Sequence, residues 1–449
     1  MLAAFAAAGM GACARGGPER APNVVLITLD TVRRDHLGCY GYARATSPAL
    51  DAFAAVATRY NHALATSSWT VPTHASLFTG LFPFEHGAHA FEVPAGTINN
   101  VNPLPAGART LAEAFWDRGY TTGAVVANEA YLSPRWQLNQ GFETYDARRA
   151  YAPGVNERVF RWLDAVHERP FFLFVNYIDA HRPYNTRPRP GVTPRPVTQD
   201  NGELLDSLVA AVMPGTGEVP AELAARVIDQ YDTAVANLDD ALGALIERLR
   251  RLGVYDNTVI VVTSDHGEYF GEHHLVEHSK DIYQEGLIVP LIVKAPGQTE
   301  GAVDERVTAS TDVPRAILEN FPEDWHDVLA QFPDAPGAGD VIAEIYYTRT
   351  KDLFDPRWGH RFQRIRTALY DGPYKLIASS DGGHELYRLD TDPREANNLF
   401  EAEPDAARRL MTRLEDVFAG RTASEERVDQ APLSDEELKR LRSLGYIGN

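Results

Sequence analysis

The chain has 449 residues, 44% of them hydrophobic and 23% charged, the composition of an ordinary globular protein long enough for one large core and a smaller one. Its formal net charge of −19 argues against nucleic acid as a partner and against adhesion to anionic lipid, while a local cationic pocket can still take an anionic substrate. Lysine is rare, at positions 280, 294, 351, 375 and 439 alone, so Lys280 is a weak pointer to a site; a biased genome would give the same scarcity.

Met1 to Cys13 is a short run of small apolar residues, too short to span a bilayer and similar to a signal-peptide core. Met10-Gly11-Ala12-Cys13 is similar to a bacterial lipobox with Cys13 as the lipid-bearing residue, although a basic n-region is missing and Met stands where Leu is usual. A lipoprotein leader over residues 1–20, a soluble exported protein and a wrongly chosen start codon are the three readings. The first two put the protein in the bacterial periplasm or anchor it at a membrane. Cys39 is the other cysteine, so no disulfide framework is expected.

Asn23 to Leu29 is an unbroken β-rich apolar run that reads as a buried parallel strand, with Asp30 directly after it. Pro48 to Ala57 reads as a helix. Thr70 stands two residues before Pro72, which suits a first helical turn, and the run stops at Gly80. Thr70 is thereby expected at a helix N-terminus, where N–H groups and the helix dipole favour an anion; the plainer reading is a capping Ser/Thr cluster. A helix over Thr110 to Arg118, a strand over Thr121 to Val126 and an amphipathic helix over Val155 to His167 follow. The aromatic strand Phe171 to Ile178 ends at Asp179 and His181.

From Arg182 to Pro220 the periodicity fails, and an irregular loop, a lid over a site, is predicted. A long helix over Ala221 to Leu252 leads to the strand Thr258 to Thr263, which ends in Ser264-Asp265-His266-Gly267, and to a further strand over Val289 to Val293. This alternation predicts an α/β domain over residues 21–332 with a mainly parallel sheet flanked by helices. Short alternating strands at 341–347, 364–370, 374–377 and 385–389 with a helix at 405–418 predict a small antiparallel sheet, a C-terminal α+β subdomain over 333–449. Ser434 to Asn449 is expected to end the chain as a short charged helix.

Asp30, His181 and Asp265-His266 all fall at carboxyl ends of predicted strands, the edge of an open α/β sheet where ligands bind. Two carboxylates and an imidazole suit one divalent ion such as Mn²⁺ or Zn²⁺. The Thr70 oxygen would complete the sphere and be made more acidic there.

Asp30-Thr31-Val32-Arg33-Arg34-Asp35-His36-Leu37-Gly38-Cys39-Tyr40-Gly41, the Thr70/Pro72/Gly80 stretch, Asp179-Ala180-His181-Arg182-Pro183-Tyr184 and Ser264-Asp265-His266-Gly267-Glu268 resemble the sulfatase family of the alkaline phosphatase superfamily. Gly271-Glu272-His273-His274-Leu275, His278-Ser279-Lys280 and the segment Glu385 to Leu399 resemble it as well. The resemblance implies an alkaline-phosphatase-like fold and a hydrolase of anionic esters, small or polymeric. It implies Asp30, Asp265 and His266 as metal ligands and Thr70 as the nucleophile. It also implies His181 and Lys280 as groups that grip the oxyanion and protonate the leaving group, with His278 sharing that work. Asn128 falls where sulfatases often carry a substrate-binding lysine. His74 takes the place of the arginine that braces the reacting group, and His86 either lines the site or closes a turn. His273 and His274 either support a second metal or lie in a solvated loop.

The departures from the family pattern decide the chemistry. Sulfatases carry Cys or Ser, any residue, Pro, any residue, Arg, and oxidise the first to formylglycine; here the stretch is Thr70-Val71-Pro72-Thr73-His74. Oxidised threonine would be a ketone, so no formylglycine forms. Thr31 replaces a second aspartate, which makes an oxygen-rich Ca²⁺ sphere less favoured than Mn²⁺ or Zn²⁺. A threonine alkoxide must then attack the ester centre itself, as in phosphoryl transfer. Phosphodiester or phosphonate cleavage is favoured on that chemistry. A sulfate-ester hydrolase using the same threonine, a transferase and a non-catalytic binding protein are the alternatives.

Overall fold

The computed structural model describes residues 21–443 except 96, 98, 99, 199, 201, 334–340, 425, 429 and 431. The leader reading of residues 1–20, Cys13 included, and the last six residues of the tail lie outside the described residues. Along the chain the elements are β1 (Asn23–Leu29), α1 (Pro48–Ala54), β2 (Thr58–Leu64), α2 (Thr70–Thr79), α3 (Pro83–His86), α4 (Leu111–Asp117), β3 (Thr121–Val126), β4 (Thr144–Ala147), α5 (Ala152–Val166) and β5 (Phe171–Tyr177). Then come α6 (Glu203–Val212), α7 (Ala221–Arg251), β6 (Thr258–Thr263), β7 (Tyr269–Phe270), β8 (Val276–Glu277), α8 (Gln284–Leu287), β9 (Leu291–Lys294), β10 (Ala302–Ala309), α9 (Val313–Leu318) and α10 (His326–Leu329). The C-terminal part holds β11 (Val341–Tyr346), α11 (Thr350–Leu353), β12 (Ile365–Asp371), β13 (Tyr374–Ser379), β14 (Glu385–Arg388), α12 (Pro404–Ala419) and α13 (Asp435–Ser443).

The main sheet has eight strands in the order β10-β2-β9-β6-β1-β5-β3-β4. All its pairings are parallel except those of β9, which runs against β2 and β6. The central strands β1, β5 and β6 are buried at every residue, as their unbroken apolar sequences require of strands covered on both faces. The register sets Leu29 beside Tyr177, Thr28 beside Thr263 and Val126 beside Asn176, so the residues after β1, β3, β5 and β6 meet at one edge. Among the described residues no helix is long and apolar enough to cross a membrane.

Five strands escaped the sequence reading, the two-residue β7 and β8 among them. β10 carries polar and charged residues because it is an edge strand open to water, its neighbour β2 is only partly buried, and β4, four residues long, is the opposite edge. The 182–220 stretch is not irregular throughout: α6 forms inside it, burying Leu205, Leu208 and Val212. The β11-β12-β13-β14 meander forms a separate antiparallel sheet on which α12 packs. It is joined to the main part through Glu344, whose backbone N–H donates to the Thr66 carbonyl at 2.8 Å and whose carboxylate accepts the Phe84 N–H at 3.0 Å.

Candidate active site

α2 starts at Thr70 with no side chain capping its N-terminus, and it ends on Gly80 in the left-handed conformation a C-terminal stop requires. The Thr70 hydroxyl is fully buried and lies 3.4 Å from His266 Nε2. His266 Nδ1 donates to the Gly267 carbonyl at 2.9 Å, so Nε2 carries the lone pair that faces Thr70. Gly267 is obligatory at this turn, because a Cβ there would lie 1.9 Å from the Glu285 carbonyl oxygen.

Asp30 and Asp265 face each other from the ends of β1 and β6, and both are buried completely. Asp30 Oδ2 accepts from the Asn128 amide at 2.9 Å; Asp265 Oδ1 accepts from the Thr31 N–H at 3.2 Å and the His266 N–H at 3.0 Å. The remaining oxygens, Asp30 Oδ1 and Asp265 Oδ2, make no hydrogen bond. Burial first, and for Asp30 also the neighbouring Asp265 charge, pushes both carboxyls up to about 7. Two buried carboxylates, each held on one oxygen and open on the other, with an imidazole whose ligand atom lies within 4.8 Å of theirs, fit a divalent cation. Thr31, in the position of the usual second aspartate, has a left-handed φ of 63° and turns its hydroxyl to the Ala180 carbonyl at 2.6 Å. For a β-branched residue that conformation is strained, and its N–H is what it gives to Asp265.

The histidines expected around Thr70 divide into two groups. His181 and His278 stay beside it: the His278 ring centroid is 4.6 Å from that of His266 and 4.8 Å from that of His181. His181 Nδ1 donates to the Arg182 carbonyl at 2.8 Å, and His278 Nδ1 is 2.7 Å from Glu268 Oε2, whose other oxygen accepts from the Tyr184 hydroxyl at 3.0 Å. Burial holds both imidazoles well below the usual histidine range. Glu277 and Ser279, on either side of His278, have φ of 64° and 56°, a second strained stretch at the site.

His74 and His86 are held by groups of the protein, although His74 Nδ1 also lies 3.7 Å from Asp265 Oδ2. His74 lies on a buried face of α2: Nδ1 donates to the Thr70 carbonyl at 2.8 Å and Nε2 accepts from the Thr28 hydroxyl at 3.1 Å. Both nitrogens are used inside the protein, so His74 braces the helix rather than the substrate. His86 Nδ1 accepts the Ala88 N–H at 3.0 Å, and its Nε2 is 3.2 Å from both the Pro72 carbonyl and Ser76 Oγ, closing a turn under α2. Asn128, expected at the substrate, donates its amide N–H to Asp30 and accepts the Tyr131 N–H on Oδ1 at 3.0 Å, and so orients a carboxylate.

Lys280 is buried and ion-paired. Its Nζ donates to Asp352 Oδ2 at 2.7 Å and to the His278 carbonyl at 3.3 Å, with Glu277 Oε2 at 3.5 Å. Burial, followed by the Arg349 charge, lowers its pKa. Glu268, Glu277, Arg349 and Asp352 are the site residues that sequence reasoning missed. Glu268 was legible as the end of the Asp265-His266-Gly267-Glu268 stretch; Arg349 and Asp352 come from α11 and its approach, some seventy residues beyond Lys280, with no local signal. His273 falls with Glu285 and Glu395 in a second carboxylate–imidazole group, but the Lys375 ammonium is already 2.6 Å from Glu395 Oε1 and supplies the cation there.

The family model described as Sulfatase matches residues 22–322. The chain is 27% identical over 308 residues to the human N-sulphoglucosamine sulphohydrolase, covering 63% of this chain and 58% of that protein, so it spans less than two thirds of that relative. It is 25% identical over 379 residues to the multifunctional alkaline phosphatase superfamily protein PehA of Trinickia caryophylli, covering 66% and 73%. Among solved structures it is similar to the phosphonate monoester hydrolase of Agrobacterium radiobacter, with a TM-score of 0.68 at 21% identity, over 92% of this chain and 100% of that one.

Proposed function

Because the chain belongs to the sulfatase family, an ester-hydrolysing family, we propose that it is a metal-dependent hydrolase that cleaves an anionic ester by direct attack of Thr70. The observation that carries this reading is the Thr70 hydroxyl at an uncapped helix N-terminus, 3.4 Å from His266 Nε2 and beside two buried carboxylates whose outer oxygens make no hydrogen bond. Asp30, Asp265, His266 and Thr70 would hold a divalent cation, Mn²⁺ or Zn²⁺, which supplies charge neutralisation and a more acidic hydroxyl.

The chain's own groups do the rest. The Thr70 and Val71 N–H groups at the start of α2 favour the oxyanion, and Pro72 costs the site no needed donor. Thr70 Oγ1 forms the new bond to phosphorus or sulfur as the ester oxygen leaves. The Thr70 proton passes to the lone pair at Nε2 of His181 or His278, since Nδ1 of each is committed to Arg182 or Glu268, and from there to the leaving oxygen. Water then cleaves the threonine ester and regenerates the hydroxyl. A threonine that is never oxidised favours phosphodiester or phosphonate esters. A sulfate ester attacked in the same way is the second reading, supported by relatives named as sulfatases.

The test is parallel turnover of nitrophenyl phosphodiester, phosphonate, phosphate and sulfate by residues 21–449, with bound metal measured by mass spectrometry, for wild type and Thr70→Ala. Loss of turnover of about 10³-fold or more with metal retained is expected. Unchanged turnover by Thr70→Ala would remove the nucleophile, and absence of turnover with metal bound would leave a binding protein.

A further inference from the structure

Five buried charges and one exposed carboxylate form a single network behind His278. Arg182 pairs with Glu277 Oε1 at 2.6 Å and with the solvent-exposed Asp206 at 2.8 Å. Arg349 Nη2 reaches Glu277 Oε2 at 2.6 Å and Asp352 Oδ2 at 2.8 Å. Lys280 completes it on Asp352 and Glu277. Lys280 and Arg349 are each 1% exposed, and Glu277 and Asp352 2% and 3%. The network comes within electrostatic reach of the reacting groups, since the Arg349 charge bears on both His266 and His278.

Three cations therefore meet three carboxylates, and the lysine assigned above to the substrate's oxyanion already holds an anion of the protein. A substrate must compete with Asp352 for Lys280, and whatever it brings is felt by Glu277 and Asp352 at the far side of the same cations. One negative charge can be shared by Lys280 at small cost; a second meets two carboxylates whose contacting cations are already paired, with the half-buried Lys351 as the further charge that bears on them. We propose that Glu277 and Asp352 set the charge of the substrate, admitting singly charged esters (phosphodiester, phosphonate monoester or sulfate ester) and rejecting doubly charged phosphate monoesters. Neither carboxylate touches the ester: both act through Lys280. The inference rests on the function proposed above and narrows it, using rejection rather than attraction to reach specificity.

The experiment compares kcat/KM at pH 8 for nitrophenyl sulfate or bis-nitrophenyl phosphate with that for nitrophenyl phosphate, in wild type, Asp352→Asn and Glu277→Gln. The ratio of singly to doubly charged substrate is expected to fall by about tenfold or more in each variant, the scale of one charge removed near contact. A drop that is equal on every ester would make the carboxylates merely structural and overturn the proposal. A wild-type measurement guards against variants that do not fold: phenyl sulfate should inhibit about tenfold or more tightly than phenyl phosphate, and the reverse order overturns the proposal. Turnover that still depends on Thr70 while the ratio stays fixed defeats the charge argument alone; absence of any turnover defeats the hydrolase reading with it.

Discussion

Glu344 of β11 holds the C-terminal sheet to the segment that carries Thr70, and its titration is predicted to make that junction weaker at alkaline pH. Its carboxyl is buried completely, with the Phe84 N–H on one oxygen at 3.0 Å and the Tyr346 hydroxyl on the other at 2.8 Å. Burial raises its pKa from 4.5 to about 7. The folded state therefore binds one more proton than the unfolded chain between these values, and stability falls as pH rises through that window. A shift of that size corresponds to about 3 kcal/mol, present in full below pH 4.5 and lost above 7. Glu344→Gln removes the titration. Its amide oxygen can accept from Phe84 and its NH₂ can donate to the Tyr346 oxygen, leaving one N–H unplaced at about 1 kcal/mol. The variant should thus be about 1 kcal/mol less stable than wild type near pH 4.5 and about 2 kcal/mol more stable at pH 8. Calorimetry or urea unfolding of the two proteins at both pH values reads the crossing; for a chain of this length each kcal/mol moves the melting temperature by roughly 1 °C. Asp30 and Asp265 titrate in both proteins and cancel in the difference. Curves that stay parallel from pH 4.5 to 8 would refute the raised carboxyl.

His74→Ala should destabilise the fold by about 2–4 kcal/mol, because it leaves the Thr70 carbonyl and the Thr28 hydroxyl without their partner and opens a void under α2. Its effect on KM should be small, and a large rise in KM without loss of stability would return His74 to the substrate. Asn128→Ala removes the donor that orients Asp30 and should weaken divalent-metal binding by about 10–100-fold. Titration with Mn²⁺ or Zn²⁺ checks this, and unchanged affinity would detach Asn128 from the metal site. Chelation of wild type should lower its melting temperature, since Asp30 and Asp265 then lose the cation that compensates their burial. Indifference to chelator would argue that no metal is held there.

The strands and the edge they form were set by local sequence. Asn23 to Leu29, Phe171 to Tyr177 and Thr258 to Thr263 are apolar at nearly every position, and only a strand covered on both faces buries them all. Parallel order then brings Asp30, His181 and Asp265-His266 together whatever else the chain does, and Thr70 was legible from Pro72 and Gly80. Polar edge strands gave no such signal: β10 spends its residues on water, and its sequence reads as loop.

What tertiary structure decided is which groups each buried histidine and cation face. The resemblance put His74 in the place of an arginine that braces the reacting group, but four residues from Thr70 is one helical turn, and there its Nδ1 turns back to the Thr70 carbonyl. Lys280 was visible as a rare lysine. Its partner Asp352 was not, because the pairing depends on the C-terminal sheet setting α11 against β8, a contact between segments some seventy residues apart. Periodicity records which face of an element is buried, whereas the state of a buried charge is set by groups that arrive from elsewhere in the chain. The edge where Asp30, His181 and Asp265-His266 meet therefore follows from sequence, and the charges around Lys280 follow from the way α11 and its approach pack against that edge.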